Sequence, residues 1–171
     1  MKTGTIARTW AALFLIGFVA GHLQGQGRMK ISMSDPVFYR TVKVDGLSMF
    51  CREAGPKDAP TILLLHGLPS SSRMFEPLFT RLSDRYHLVA PDYPGFGHSD
   101  WPDPKQFPYT FDNLAKVING FTEATGLSRY TLYMQDYGVP VGFRMALAHP
   151  NCIEALIVQD GVAHTPTGNS L

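Results

Sequence analysis

The chain is short of cysteine, of charge and of long apolar runs. Only two cysteines, Cys51 and Cys152, occur in 171 residues, at a spacing that matches no metal site, which excludes a disulfide-dense scaffold and a thiolate metal centre. A single Cys51–Cys152 bridge in an oxidising compartment stays open beside the plainer reading of two small apolar side chains. Charged residues make up 17% of the sequence and the formal net charge is +1. With no basic block or stripe there is no electrostatic footprint for phosphate backbones, so nucleic acid is not an expected partner. The apolar run WAALFLIGFVAG (Trp10–Gly21) stops at His22, short of the ~20 residues that a spanning helix needs. There is no internal repeat or low-complexity segment, and neither a cofactor nor a metal is expected. What is abundant is apolar: 44% hydrophobic residues, enough for one domain with a buried core.

Acid is also missing at the start. No Asp or Glu precedes Asp35, while Lys2 and Arg8 stand before the apolar run. Basic start, apolar stretch and small residues together are the pattern of a secretory signal peptide, so export is expected. Cleavage could follow Gly21, Gly25 or Gly27; an uncleaved anchor, or a start at Met33 in the cytoplasm, is the alternative. The expected division is signal peptide 1–27, linker 28–36, folded core 37–163 and tail 164–171.

In the core, FYRTVKV and LSMFCRE flank Asp45-Gly46, a strong hairpin signal. TILLLHG, YHLVAP, YTLYM and IEALIVQ then read as strands buried on both faces of a parallel sheet. Helical spacing recurs between them: Met74 to Leu82, a helix from Thr110 stopped by Gly126, and VGFRMALAH beginning near Pro140. DYPGFGHSDWPDP, rich in Pro and Gly, is a loop. Strand–helix alternation after a starting hairpin predicts an α/β fold, a mainly parallel sheet with helices on both faces.

MQDYG places Asp136 between a strand and a helix with Gly138 two residues on. A nucleophile presented on a strained turn has this pattern. So does an Asp that merely caps the next helix, and from this segment alone the two readings stand level.

HGLP (His66 to Pro69) and DYPGFGHSD (Asp92 to Asp100) each follow a strand of their own. With QDYGVPVGFRMALAHP, they resemble the α/β-hydrolase superfamily, in the haloalkane dehalogenase and epoxide hydrolase branch that uses an Asp nucleophile. The resemblance implies that Asp136 attacks an electrophilic carbon of a small organic substrate to form an alkyl ester. It implies an oxyanion hole from the backbone N–H groups of Leu68 and Tyr137, with His66, Gly67, Pro69 and Gly138 as loop and elbow supports. Asp160, after the last strand, is a candidate acid, with an ordinary loop Asp as the alternative.

The sequence departs from the family pattern in several places. Tyr137 and Leu68 stand where dehalogenases place side-chain N–H donors for the halide. Met134 and Val139 are larger than the family's small elbow neighbours. No histidine matches the general base, which in the family lies beyond a cap; His87, His98, His149 and His164 all fall elsewhere. The expectation is therefore the N-terminal portion of a hydrolase, with cap and last strands absent and IEALIVQ left as an open edge able to self-associate. Completion in trans by a partner chain, and a non-catalytic secreted binding module, are the alternatives.

Overall fold

The computed structural model describes residues 36–161. The signal-peptide segment, Met33 and His164 lie outside them.

Strands β1 (Phe38–Val44) and β2 (Leu47–Ala54) form the starting hairpin. Asp45 and Gly46 both take positive φ, 50° and 86°, as the tight turn between right-twisted strands requires. Strand β3 (Thr61–Leu65) leads through a short 3-10 turn, Ser72–Phe75, into α1 (Glu76–Leu82). Strand β4 (His87–Pro91) is followed by a long loop and α2 (Phe111–Thr125). Thr110 caps α2 by accepting from Asn113 N at 3.2 Å, and Gly126 ends it in the left-handed region at φ 74°. Strand β5 (Tyr130–Gln135), α3 (Gly138–Ala148) and β6 (Ile153–Gln159) complete the described fold. Helix α3 starts two residues before the expected Pro140, because the turn at Asp136 feeds directly into it.

The six strands lie in the order β1-β2-β4-β3-β5-β6. Pairing is antiparallel as far as β4 and parallel from β4 through β3 and β5 to β6. Alternation along each strand divides the core in two. Leu63, Leu65, Leu132 and Met134 face α2 and α3, joining Leu114, Ile118, Phe121, Val141 and Met145. Ile62, Leu64, Leu88 and Ala90 face the other way, against Phe75 and Phe79. Fully burying side chains of this kind contributes about 1.5–3 kcal/mol each, so the central strands carry the fold.

The sheet edge and the two cysteines can now be placed. IEALIVQ is the open edge that the sequence leads one to expect of this portion of the fold: Leu156, Ile157 and Val158 are 44%, 42% and 49% exposed. It is the last strand in the order of the described sheet, and Ile153 at its start packs against the core cluster. Cys51 and Cys152 are both free thiols. Cys51 lies on β2, four strand spacings or roughly 19 Å from β6, and Cys152 only just precedes β6. A disulfide needs its Cα atoms within about 7 Å. Cys51 is fully buried, and burial pushes its thiol up to about 11.

Candidate active site

Asp136 occupies the turn between β5 and α3 with φ at 50°. A residue other than glycine held in this region is strained by about 1–3 kcal/mol, so neighbouring contacts must enforce it. Asp136 N donates to Gln159 O at the end of β6, 3.3 Å, and Asp136 O accepts from Val139 N at 3.0 Å. Gly138 permits the bend: a Cβ there would meet the backbone of Leu65, standing 2.9 Å from its carbonyl carbon.

The capping alternative does not describe this Asp. The residue at the N-cap of α3 is Tyr137, and no side chain bonds there. Asp136 instead stands half-buried against the loop after β3. A Cβ on Gly67 would come within 3.0 Å of Asp136 Cγ, so only glycine lets the HGLP loop pass this close. Leu68 follows at 39% exposure, joined to Pro69 by a cis peptide bond. Tyr137 packs edge-on against Phe111 of α2, ring centres 5.3 Å apart. Asp160 is exposed just beyond β6, also at positive φ, 47°.

The two oversized elbow neighbours are accommodated by missing Cβ atoms elsewhere. Met134 is fully buried, and a Cβ at Gly142 on α3 would lie 2.7 Å from its Cγ. Val139 is likewise buried, and a Cβ at Gly161 would lie 2.9 Å from its Cβ. Bulk moved onto the elbow is matched by bulk removed from the facing position.

His66 is fully buried beneath the loop. Its Nε2 accepts from Tyr93 N at 3.2 Å, which assigns the proton to Nδ1, and Nδ1 then donates to Gly67 O at 2.9 Å. Burial holds the imidazole below the ordinary histidine value. With both nitrogens given to backbone partners, His66 is placed to set the loop rather than to take a proton. The other described histidines are engaged elsewhere. His87 bonds Glu53 at 2.7 Å and Thr61 at 3.1 Å. His98 packs on Phe50, 4.9 Å between ring centres. His149 caps the far end of α3, roughly 16 Å of helix from the elbow at 1.5 Å per residue.

Sequence reasoning passed over Asp92. It is 1% exposed. One carboxylate oxygen accepts from Ser72 N at 2.6 Å and the other from His98 N at 2.9 Å. It thereby ties the loop after β3 to the loop after β4, and Ser99 Oγ adds a bond to Asp92 O at 2.7 Å. The signal was an acid set directly after a buried apolar strand, where a carboxylate persists only if its oxygens are matched. A cavity of about 660 Å³ lies between α2 and α3 near Lys116 and Arg144, but it includes neither Asp136 nor HGLP. The candidate site lies in the loops, not in that groove.

The fold is shared with known hydrolases. The alpha/beta hydrolase fold family profile matches residues 60–169. An uncharacterized hydrolase of Saccharomyces cerevisiae is 40% identical over 127 residues, spanning 74% of this chain and 43% of the relative. A haloalkane dehalogenase of Bradyrhizobium diazoefficiens is 34% identical over 137 residues, spanning 79% and 43% respectively. The crystal structure of haloalkane dehalogenase DbeA from Bradyrhizobium elkani superposes with a TM-score of 0.70 at 29% identity, over 74% of this chain and 43% of that one. The chain thus spans about two-fifths of the length of these relatives. It belongs to the α/β-hydrolase family, on the haloalkane dehalogenase-like branch.

Proposed function

We propose that this chain carries the nucleophile half of a hydrolase that acts on a small organic electrophile, an alkyl halide or an epoxide, through an ester on Asp136. The observation that carries the reading is the left-handed turn at Asp136, packed against Gly67 with no cap partner for its carboxylate. A carboxylate is already ionised at neutral pH, so it needs no base to become a nucleophile. One of its oxygens forms a C–O bond as the carbon–halogen bond breaks and halide leaves with the electron pair. With an epoxide, the ring C–O bond breaks and the freed oxygen takes a proton from solvent water, leaving hydroxide in the solvent.

The second step is different. Water must attack the ester carbonyl carbon and lose a proton to a base, while the carbonyl oxygen gains charge. Leu68 N–H and Tyr137 N–H are the proposed donors to that oxygen. Asp160 is the proposed acid partner for a base. None of the four described histidines is free beside Asp136 to be that base, so the ester formed by this chain is expected to accumulate. The test is intact-mass spectrometry after exposure to a bromoalkane or a reactive epoxide. A stable gain of one alkyl or hydroxyalkyl group, lost in Asp136→Asn, supports the reading. No gain, or an equal gain in the variant, refutes it.

Completion in trans is a second reading, favoured by the exposure of Leu156, Ile157 and Val158 on the β6 edge. A partner supplying strands and a base there would turn accumulation into turnover.

A further inference from the structure

The segment from His66 to Ser72 carries Gly67, which touches Asp136, and Leu68, the proposed donor to the ester oxygen. Both of its ends are fastened to the loop after β4, on consecutive residues. At the start, His66 Nε2 accepts from Tyr93 N at 3.2 Å. At the finish, Ser72 N donates to Asp92 Oδ1 at 2.6 Å. The segment is therefore a closed loop seated on the Asp92–Tyr93 dipeptide.

The finish is the more heavily built of the two anchors. Ser72 and Asp92 are 0% and 1% exposed. Ser72 Oγ accepts from Arg52 Nε at 3.1 Å, so its N–H lies against an anion and its hydroxyl against a cation. Arg52 is held in turn by Glu76 Oε1 at 3.0 Å and lies over the Tyr39 ring at 4.9 Å. The second Asp92 oxygen accepts from His98 N. Beside it Gly97, at φ 53°, lets the two loops meet: a Cβ there would stand 3.0 Å from Ser71 Cβ and would overlap the Asp92 carboxylate. A buried carboxylate is costly unless its oxygens are matched, and each Asp92 oxygen is matched by a different loop.

The two steps on Asp136 lean on this segment differently. Ester formation is a displacement at the substrate carbon, in which the carboxylate gives up charge and its remaining oxygen gains none. Cleavage of the ester puts negative charge on that oxygen, where a backbone N–H already in place contributes most. A donor displaced by about 1 Å loses much of the effect. A residue that fixes the loop therefore acts on the second step and spares the first.

We propose that Asp92 is a positioning residue for ester cleavage: by holding Ser72 it closes the loop and sets the Leu68 N–H toward the ester on Asp136. The proposal rests on the ester and donor roles of Asp136 and Leu68 under Proposed function. The test uses hydroxylamine, which cleaves the ester without a base from the protein. Its nitrogen bonds to the ester carbonyl carbon, the bond from that carbon to the alkoxy oxygen breaks, and the departing oxygen takes a proton from the nitrogen. A hydroxamate stays on Asp136 and an alcohol leaves. The full chain is esterified with a bromoalkane, freed of reagent and given hydroxylamine, and intact-mass spectrometry follows both steps.

Cleavage in the native chain is expected at least about a hundredfold faster than in the same esterified chain unfolded in urea. Asp92→Asn keeps the shape but offers one acceptor oxygen to two N–H groups. It should slow cleavage at least about tenfold and change ester formation less than about threefold. Gly97→Ala, at an exposed position, pushes on the carboxylate without removing it and should give the same split on a smaller scale. The pair keeps the test decisive if Asp92→Asn loses its native circular dichroism. A merely structural role would slow both steps together. Equal slowing of the two steps, or unchanged cleavage in the folded variants, overturns the proposal and leaves Asp136 as the nucleophile. A native ester cleaved no faster than the unfolded one removes the donor role of Leu68 and the proposal with it. No ester on the native chain overturns the reading of Asp136 itself.

Discussion

Gly67 and Asp136 meet across the ends of two neighbouring strands so closely that a Cβ on the glycine would stand 2.5 Å from Asp136 Cβ. The contact is steric and local, so its removal can be tested by adding one methyl group. Gly67→Ala should destabilise the fold by about 1–3 kcal/mol through overpacking. It should also slow ester formation on Asp136 by at least about tenfold, because the carboxylate is pushed off its line of attack. Urea denaturation and the mass-spectrometric time course measure the two effects separately. Loss of stability with an unchanged ester rate would detach the HGLP loop from the chemistry.

Asp92 makes a second prediction. Asp92→Ala leaves the N–H groups of Ser72 and His98 without their acceptor in a buried setting. The expected loss is about 2–4 kcal/mol, from two bonds to a charged group. Amide hydrogen exchange should show faster opening at Ser72 and His98 together. Opening at only one of the two loops would mean that the carboxylate does not couple them.

His66 predicts a pH dependence. Burial lowers its folded-state value below the ordinary histidine value, so the unfolded chain binds the proton more readily. Stability from this group is therefore fully present above the unfolded value of ~6.5 and is lost as pH falls below it toward the lowered folded value. Denaturation midpoints taken from about pH 8 down to about pH 5 should decline more steeply for the native chain than for His66→Gln. Parallel curves would show that the imidazole does not titrate on unfolding.

Met134 and Gly142 form a matched pair. Gly142→Ala gains helix propensity of about 1 kcal/mol, yet it should destabilise the native chain because the new methyl meets Met134. In a Met134→Ala background the same change should become stabilising. A double-mutant cycle should return a coupling of about 1–3 kcal/mol, and a value near zero would show that α3 shifts freely to make room.

The β6 edge predicts association. Three consecutive apolar residues, Leu156 to Val158, are more than 40% exposed, beside the unpaired backbone groups of an edge strand. Sedimentation should show a mass that rises with concentration above the 18.9 kDa of one chain. Leu156→Lys with Val158→Lys should return it toward that value. A single species of 18.9 kDa at all concentrations would remove self-association.

Much of the frame is legible in the sequence because its signals are local. Asp45-Gly46 sets the hairpin, Thr110 and Gly126 bound α2, and short apolar runs mark every strand. The position of Asp136 is legible for the same reason, since strand, acid and glycine are contiguous. What was hidden depends on contacts between distant positions. Nothing near Met134 or Val139 announces Gly142 or Gly161 as their complements. Asp92 looked like one acid in a loop until its two oxygens were seen matched to two separate segments.

The strand order also explains where the loops converge. From β3 the chain crosses beneath one layer of the sheet through α1 to reach β4, then returns over the opposite layer through α2 to reach β5 on the far side of β3. Right-handed crossovers that reverse direction in this way send neighbouring chain exits apart. The exits of β3 and β5 therefore lead toward opposite layers, and in open α/β sheets a reversal of this kind is where small molecules bind. HGLP and Asp136 directly follow those two strand ends, so a winding without that reversal would part them even with every side chain retained.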